Sequence, residues 1–260
     1  MKTLMIIPSE TRGLDSIYKS LQKHVLNLSN SIDVGLFVSE ESDISLIPNY
    51  TYHYTLPEYK DHRQGLIHEL NCLGIDIPEI LTDNKSLNNY QTSTIIHIYY
   101  RLFILRMLRK HKLINRYDFF MINRSDLMHT QDIDVSALNH NKVYLPNGEH
   151  WGGLPDRFAI IPKKHVEHWL NIYDEMFFKD SSQMYGSPLP QGGHRGPEYM
   201  TKHNKEKHNI SIKYIPYTFY CVRNPEDKTR WSSGVYVESI RLFVKYPTEY
   251  QLVIKNHSLY

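Results

Sequence analysis

The sequence predicts an α/β protein with a mainly parallel central sheet flanked by helices. Three observations lead to this fold class. Apolar runs of strand length alternate along the chain with segments whose apolar residues recur at helical spacing. Several of the runs are apolar throughout, as expected for strands covered on both faces. The 260 residues are enough for one large domain with a substantial core and no disulfides.

The first part of the chain predicts a strand, a loop and a helix. The apolar run Leu4–Ile7 is closed by "PSETRG", and apolar residues then recur at helical spacing from Leu14 to Leu28. Two further strands are predicted at "DVGLFVS" and "YTYHYTL". Residues 57–89 show neither period, and we interpret them as a lid or an acceptor loop.

The second part continues the alternation. A buried helix is predicted from Ser93 to Lys110, and a second helix runs from Lys163 to about Phe177. A third helix begins near Pro197, where proline and the following acid suit a first turn. The predicted strands are Phe119–Ile122, "KVYLP", "FAIIP" and "ISIKYIPYTFYCVR", the last broken at Pro216.

Composition argues against several classes of protein. With 30 Lys and Arg against 28 Asp and Glu, the chain lacks the basic footprint of a nucleic-acid-binding protein. Cys72 and Cys221 stand at neither metal nor redox spacing. The apolar run before Pro8 is too short for a secretory signal, and no stretch of about 18 apolar residues occurs. We therefore expect a cytoplasmic protein without a transmembrane segment.

The most informative stretch is "YDFFMINRSDLMH", in which an apolar strand ends in Arg124-Ser125-Asp126. Ligands of open α/β sheets bind at the carboxyl ends of the strands, and a carboxylate there can hold a hard cation that grips a diphosphate. Asp126 is therefore a candidate metal ligand. The structural alternative is that Asp126 caps the next turn or pairs with Arg124.

A set of motifs in fixed order resembles a known family. They are "PSETRG", "IYYRLFILRML", "YDFFMINRSDL", "KVYLPNGEHWGGLPDRFAI" and "GPEYMTKHNKEKHNISIKYIPYTFYCVR". Together they resemble small GT-A-fold glycosyltransferases of large algal DNA viruses and bacterial polysaccharide clusters. The resemblance covers residues 1–223, which it implies to be a GT-A-like catalytic domain. Residues 224–260 are then a C-terminal appendage packed on the same domain.

The resemblance implies transfer of a sugar from a nucleotide-diphosphate donor, with UDP favoured, to a hydroxyl of a glycan acceptor. In a viral protein this would occur in the host cytoplasm. The family's Asp-x-Asp motif binds Mn²⁺ or Mg²⁺ through its last acid. Here only Asp126 remains, with Arg124 at the first position, where it can contact donor oxygens or replace part of the metal's charge.

Five further residues are candidate donor contacts. Arg12 follows the first strand, where the fold receives the nucleotide, and Gly152 and Gly153 permit close approach of the backbone to a sugar. His194 and Arg195 precede a helix N-terminus, where phosphate binds well. The structural alternatives are a surface arginine, ordinary turn glycines and a solvated loop.

Candidate catalytic residues cluster in two of the motifs. Asp156 is favoured as the general base toward the acceptor, with Glu149 and Glu198 as competitors, and Trp151 offers a stacking face to the acceptor. Alternatively, Glu198 stabilises a helix N-terminus and Trp151 belongs to the core.

Two other functions fit part of the pattern. The incomplete Asp-x-Asp motif also suits a noncatalytic nucleotide-sugar or glycan-binding module. A nucleotidyltransferase uses a similar sheet, but "PSETRG" is a poor match to its basic glycine-rich loop.

Overall fold

The computed structural model describes residues 1–8, 15–29, 31–77, 79–82, 91–135, 137–148, 150, 152–173, 196–223 and 234–257. The helices in these ranges are α1 (Asp15–His24), α2 (His62–Leu73), α3 (Glu79–Thr82), α4 (Gln91–Lys110), α5 (Lys163–Leu170), α6 (Pro197–Lys207) and α7 (Pro247–His257). The strands are β1 (Thr3–Pro8), β2 (Ile32–Ser39), β3 (Tyr52–Leu56), β4 (Phe119–Asn123), β5 (Leu127–His129), β6 (Lys142–Pro146), β7 (Phe158–Pro162), β8 (Ser211–Ile215), β9 (Phe219–Arg223), β10 (Val235–Val237) and β11 (Leu242–Val244).

The main sheet confirms the predicted α/β class with a mostly parallel sheet. Its described strands are in the order β3-β2-β1-β4-β7-β6-β8, and β7 alone among them runs antiparallel to its neighbours. From β1 the chain moves outward through β2 and β3, and it then returns to pair β4 with the other side of β1. The strand order therefore reverses between β1 and β4. In open α/β sheets the carboxyl ends at such a reversal form the ligand crevice.

Helices cover both faces of the sheet, which explains why the central strands are apolar throughout. In β1, Leu4 and Ile6 point into the core formed with α2 and α4, whereas Met5 and Ile7 point into the core formed with α1. Successive side chains of a strand alternate between faces, so a strand buried on both faces has no polar positions.

A second sheet, with described strand order β10-β11-β9-β5, is antiparallel throughout. The chain passes from the main sheet to this one at residues 124–126, which link β4 to β5. The predicted strand at residues 210–223 is in fact two strands of different sheets. β8 is an exposed edge of the main sheet, whereas β9 is buried in the second sheet. The break lies at Pro216, where proline removes a backbone donor.

The interpretation of residues 57–89 as a loop was wrong for His62–Leu73, which form α2, and a role as a lid stays a prediction. Asp61 caps this helix by accepting a hydrogen bond from the Arg63 N–H at 3.0 Å, and Gly74 ends it in a left-handed conformation. Gly65 faces the rings of Tyr59 and Tyr99, where no larger side chain fits. Because Gly65 occupies a buried position of this helix, the helical spacing of apolar residues was weak in this part of the sequence.

The predicted helix from Lys163 to Phe177 was too long, because α5 ends at Leu170. Two carbonyl groups of its last turn accept hydrogen bonds from side chains of other helices. Arg101 of α4 donates to the Trp169 carbonyl at 3.1 Å, and Asn204 of α6 donates to the His168 carbonyl. These tertiary contacts satisfy the helix end, and the sequence of α5 carries no trace of them.

The C-terminal segment is held by backbone pairing and by a buried ion pair. β11 pairs with β9, and the Lys245 N–H donates to the Cys221 carbonyl at 2.9 Å. On α7, Glu249 is fully buried and accepts hydrogen bonds from the Arg157 guanidinium and from the Cys221 N–H. Tyr217 also donates to this carboxylate. Glu249 therefore joins α7 to Arg157, the residue before β7.

Among the described residues, no helix is long and apolar enough to cross a membrane.

We predict that Glu249→Gln lowers the free energy of unfolding by roughly 3 kcal/mol or more, because it leaves the buried Arg157 charge without an anionic partner. Glu167→Gln is the matched control. Glu167 also pairs with an arginine, Arg109, through two hydrogen bonds, but both side chains are nearly half exposed, so we expect a loss below about 1 kcal/mol. Urea unfolding followed by tryptophan fluorescence measures both. Equal losses in the two variants would contradict a special role for the buried pair.

Candidate functional site

Asp126 lies where the chain leaves the main sheet, and two arginines enclose its carboxylate. Arg124 donates from Nε to Oδ1 at 3.0 Å and from Nη2 to Oδ2 at 2.7 Å. Arg223, the last residue of β9, donates from Nη1 to the same Oδ2. The Asp126 carbonyl also accepts from the Val222 N–H at 2.9 Å. The link between the two sheets is therefore clamped to β9.

Asp126 stays ionised despite being almost completely buried. Burial alone would raise the pKa of its carboxyl group. The charges of Arg124 and Arg223 and their hydrogen bonds outweigh burial, so the pKa lies well below its ordinary value. Asp126 thus acts as a permanent anion that orients two guanidinium groups.

A third cation, Lys245, joins this group from the C-terminal segment. Its side chain is buried, with Nζ 5.1 Å from the centre of the Tyr246 ring. Burial, followed by the positive charges of Arg124 and Arg223, lowers the pKa of Lys245 to about 8. We call Arg124, Arg223 and Lys245, together with Asp126, the cation cluster. It holds three basic groups around one carboxylate.

Asp156 begins a second polar group at the loop before β7. Its side chain is 7% exposed, and its Oδ2 lies 3.3 Å from Nδ1 of His97, which projects from α4. Burial raises the pKa of Asp156, but His97, Arg157, Arg124 and Arg101 together hold it below its ordinary value. Asp156 is therefore ionised at neutral pH.

Glu198 stands in the first turn of α6, directly against the loop that carries Asp156. The Leu154 N–H donates to the Glu198 carbonyl at 2.9 Å. A Cβ atom added to Gly153 would lie 2.1 Å from the Glu198 carbonyl carbon and oxygen. Gly153 is thus required for the close approach of two backbone segments, the loop and the helix. Gly152 has a φ of 78° and is exposed in the adjoining turn.

The two carboxyl groups have opposite ionisation tendencies. Burial, followed by the negative charge of Asp156, raises the pKa of Glu198 to about 7, while Arg157 and Arg101 oppose this rise. One carboxyl group is therefore ionised and the other exchanges its proton near neutral pH. Such a separation is typical of acid–base pairs in active sites. We call Asp156 and Glu198 the carboxylate pair, and His97 and Arg101 are its basic neighbours.

The carboxylate pair and the cation cluster belong to one electrostatic environment. Burial lowers the pKa of His97 most, and the charges of Arg101, Arg124 and Lys245 lower it further. Arg124 also contributes to the low pKa of Asp156. The pKa of His97 therefore responds to charges of both groups.

A mostly apolar recess adjoins the cation cluster at the strand-order reversal. Ile7 at the end of β1, Ile17 and Tyr18 of α1, and Ile47 line it, and Arg124 lies at its edge. The recess therefore opens where β1 and β4 present their carboxyl ends.

Among the residues singled out from the sequence, the structure brings Arg124, Asp126, Asp156, Glu198 and Gly153 to one end of the sheet. Gly152 lies in the same loop as Gly153 and Asp156, but what Gly153 approaches closely is the backbone of Glu198. The other candidates lie outside the described residues, and their assignments stay predictions: Arg12, Glu149, Trp151, His194 and Arg195.

The sequence reasoning assigned no site role to Arg101 and overlooked His97, Arg223 and Lys245. Weak signals were present. His97 and Arg101 stand four residues apart within an otherwise apolar helix, so they share a face. Arg223 ends an apolar strand just as Arg124 follows one. Lys245 had no such signal, because only the fold carries the C-terminal segment to β9.

The residues around Asp126 do not fit a divalent cation. Both of its carboxylate oxygens already accept hydrogen bonds from arginine, and its closest charged neighbours are cations. Mn²⁺ and Mg²⁺ prefer several oxygen ligands. Among the described residues, no group of three His, Cys, Asp or Glu side chains is placed to hold a metal ion. The pairing of Asp126 with Arg124, left open by the sequence, is what the structure contains.

Comparison with protein-family models and with curated proteins found no match to this chain. The family suggested by the motifs therefore stays a proposal, and the site has to be interpreted from its own chemistry.

We predict that the raised pKa of Glu198 makes this residue a pH-dependent destabilising group. A carboxyl group whose pKa is higher in the folded state binds more protons there, so its contribution to stability falls as pH rises from about 4.5 to about 7. In Glu198→Gln this part of the pH dependence disappears. Urea unfolding at a series of pH values measures it, and carboxyl NMR with the same variant assigns the titration.

Asp156→Asn provides the companion variant. Removing the negative charge of Asp156 brings the pKa of Glu198 closer to its ordinary value. An unchanged Glu198 titration in this variant would show that the two carboxyl groups do not interact.

Proposed function

We propose that this protein is a glycosyltransferase that moves a sugar from a nucleotide-diphosphate donor to a hydroxyl group of a glycan acceptor. The observation that carries the proposal is the carboxylate pair, an ionised acid beside an acid of pKa about 7, at the same end of the sheet as the strand-end arginine. UDP is the favoured nucleotide and GT-A the favoured fold, both through the motif resemblance. The mostly parallel sheet and the placement of the candidate residues support this choice.

The reaction requires a base and a cationic environment. The bond from the anomeric carbon to the diphosphate oxygen breaks, and its electron pair leaves with the diphosphate. The acceptor oxygen forms the new bond to the anomeric carbon and loses its proton. A base with a pKa near the working pH serves best for that proton. Of the carboxyl groups predicted from the sequence, Glu198 fits this requirement better than Asp156.

Each neighbour of Glu198 has a separate role in this scheme. The ionised Asp156 raises the proton affinity of Glu198 and is itself held by His97 and by nearby cations. Arg101 donates a hydrogen bond to the Trp169 carbonyl, and its positive charge interacts with both carboxyl groups. It therefore reduces the repulsion between them. Arg124 lies on the phosphate side. A small, mostly apolar recess lined by Tyr18 and aliphatic side chains adjoins Arg124.

We predict that Glu198→Gln lowers kcat by roughly 10²- to 10⁴-fold, because the amide cannot accept the acceptor's proton. The KM for the donor changes little, since Glu198 does not contact the phosphates in this scheme. Glu206→Gln is the matched control, because Glu206 is exposed on the same helix, and it keeps full activity. The assay follows nucleoside diphosphate release from UDP-sugars in the presence of glycan acceptors.

A binding screen and the product-release assay together separate the competing functions. A thermal-shift screen against UDP, GDP, CMP and TDP, with and without Mn²⁺, first identifies the nucleotide. Binding without turnover across donors and acceptors would favour a noncatalytic nucleotide-sugar or glycan-binding module. Release of pyrophosphate instead of nucleoside diphosphate would show a nucleotidyltransferase. Full activity of Glu198→Gln would remove that residue as the base.

A further inference from the structure

We propose that the cation cluster is a diphosphate-binding site that works without a divalent metal, with Lys245 of the C-terminal segment as one of its ligand-binding residues. This inference rests on the proposed function for the identity of the natural ligand, the diphosphate of a nucleotide sugar. The site itself consists of Arg124, Arg223, Lys245 and Asp126.

The charge of the cluster is unbalanced. Asp126 is the carboxylate that pairs with Arg124 and with Arg223, and no ion pair joins Lys245 to any described carboxylate. Arg157 is neutralised separately by Glu249. Within the four residues of the cluster, two positive charges therefore remain in excess, and Asp156, whose charge acts on Arg124, makes its described ion pair with His97 instead. Buried charges without counterions are costly, so such a cluster favours an anionic ligand.

The hydrogen-bonding capacity of the arginines is also incomplete. Arg124 uses Nε and Nη2 on Asp126, which leaves the Nη1 edge of its five-donor guanidinium outside that pair. Arg223 is 3% exposed, and its buried Nη2 donates to no described residue. Asp126 thus fixes both guanidinium groups but satisfies them only in part.

The location of the cluster suits a diphosphate bound from solvent. The Arg124 side chain is 21% exposed, so the cluster is accessible from its side. The recess next to Arg124 leads to the carboxyl end of β1, and the charge of Arg124 also acts on Asp156 of the carboxylate pair. A diphosphate at Arg124 would therefore have its sugar on the side of Asp156 and Glu198. Planar guanidinium groups bind phosphate oxygens in pairs, and a lysine adds a compact charge.

The ligand chemistry explains why a metal is unnecessary here. In a metal-dependent site a carboxylate such as Asp126 holds the cation that neutralises the two phosphates. In this chain the same position carries a carboxylate whose oxygens are taken by arginines, and the basic groups themselves provide the positive charge. The C-terminal segment is then part of the binding site, because it brings Lys245 to the cluster.

The test is calorimetric titration of the full chain with inorganic pyrophosphate and with UDP, in EDTA and in Mn²⁺, at about 0.15 M salt to screen weak surface binding. We expect both ligands to bind in EDTA, with dissociation constants that Mn²⁺ changes little. Lys245→Gln should weaken pyrophosphate binding about tenfold or more, since it removes one charge-assisted contact. Lys245→Arg should retain most of the affinity.

Lys213→Gln is the matched control. Lys213 also lies over a tyrosine ring, that of Tyr144, but it is exposed on edge strand β8. This variant loses the same charge and should bind pyrophosphate normally. Equal weakening by Lys213→Gln and Lys245→Gln would overturn the inference, because it would reveal a general charge effect.

Asp126→Asn distinguishes an Asp126 that orients the two arginines from an Asp126 that holds a metal ion. If the cations bind the diphosphate, affinity in EDTA persists or increases in this variant, provided that circular dichroism shows a folded protein. Binding that requires Mn²⁺ in the native chain would overturn the inference, and sugar transfer with Mn²⁺ would still leave the proposed function standing. Pyrophosphate binding in EDTA without any sugar transfer would support the anion site and remove the transferase.

Discussion

The structure depends on one buried carboxylate at the point where the chain crosses from the main sheet to the second sheet. A buried anion has to be paired, and Asp126 is paired with Arg124 on its own link and with Arg223 on β9. The interaction therefore joins two sheets and fixes two guanidinium groups at once. It also determines what the site can bind, because the anion that would balance a metal ion is already balanced by arginine.

The two halves of the site have complementary charge. Around Asp126 the basic groups are in excess, whereas Asp156 and Glu198 bring two carboxyl groups together beside Arg101 and His97. Transfer of a sugar from a diphosphate needs both conditions, positive charge where the phosphate leaves and a proton acceptor where the hydroxyl attacks. The two halves are electrostatically linked, because the pKa of His97 responds to charges of both and Arg124 acts on Asp156.

Buried ion pairs also explain how the last segment becomes part of the site. Glu249 bonds Arg157, the residue before β7, and β11 pairs with β9. These contacts bring Lys245, four residues before Glu249, next to Arg223. A segment that carries no recognisable motif thus provides a side chain of the cation cluster. Gly153 has a comparable role at the carboxylate pair, since it lets the first turn of α6 approach the loop of Asp156.

The sequence by itself determined the α/β class, the central strands and the position of Arg124 and Asp126 just after a buried strand. Residues such as Leu4 to Ile7 are apolar at every position, and that pattern depends only on local spacing. Sequence patterns failed where long-range contacts replace local ones. The end of α5 is set by Arg101 and Asn204, and α2 was hidden because Gly65 is required by distant tyrosine rings.

Only the tertiary structure decided that Asp126 pairs with arginines, that Glu198 titrates near neutral pH and that Lys245 joins the site. Each of these properties arises from burial and from charges far apart in the chain, which no local pattern of residues records.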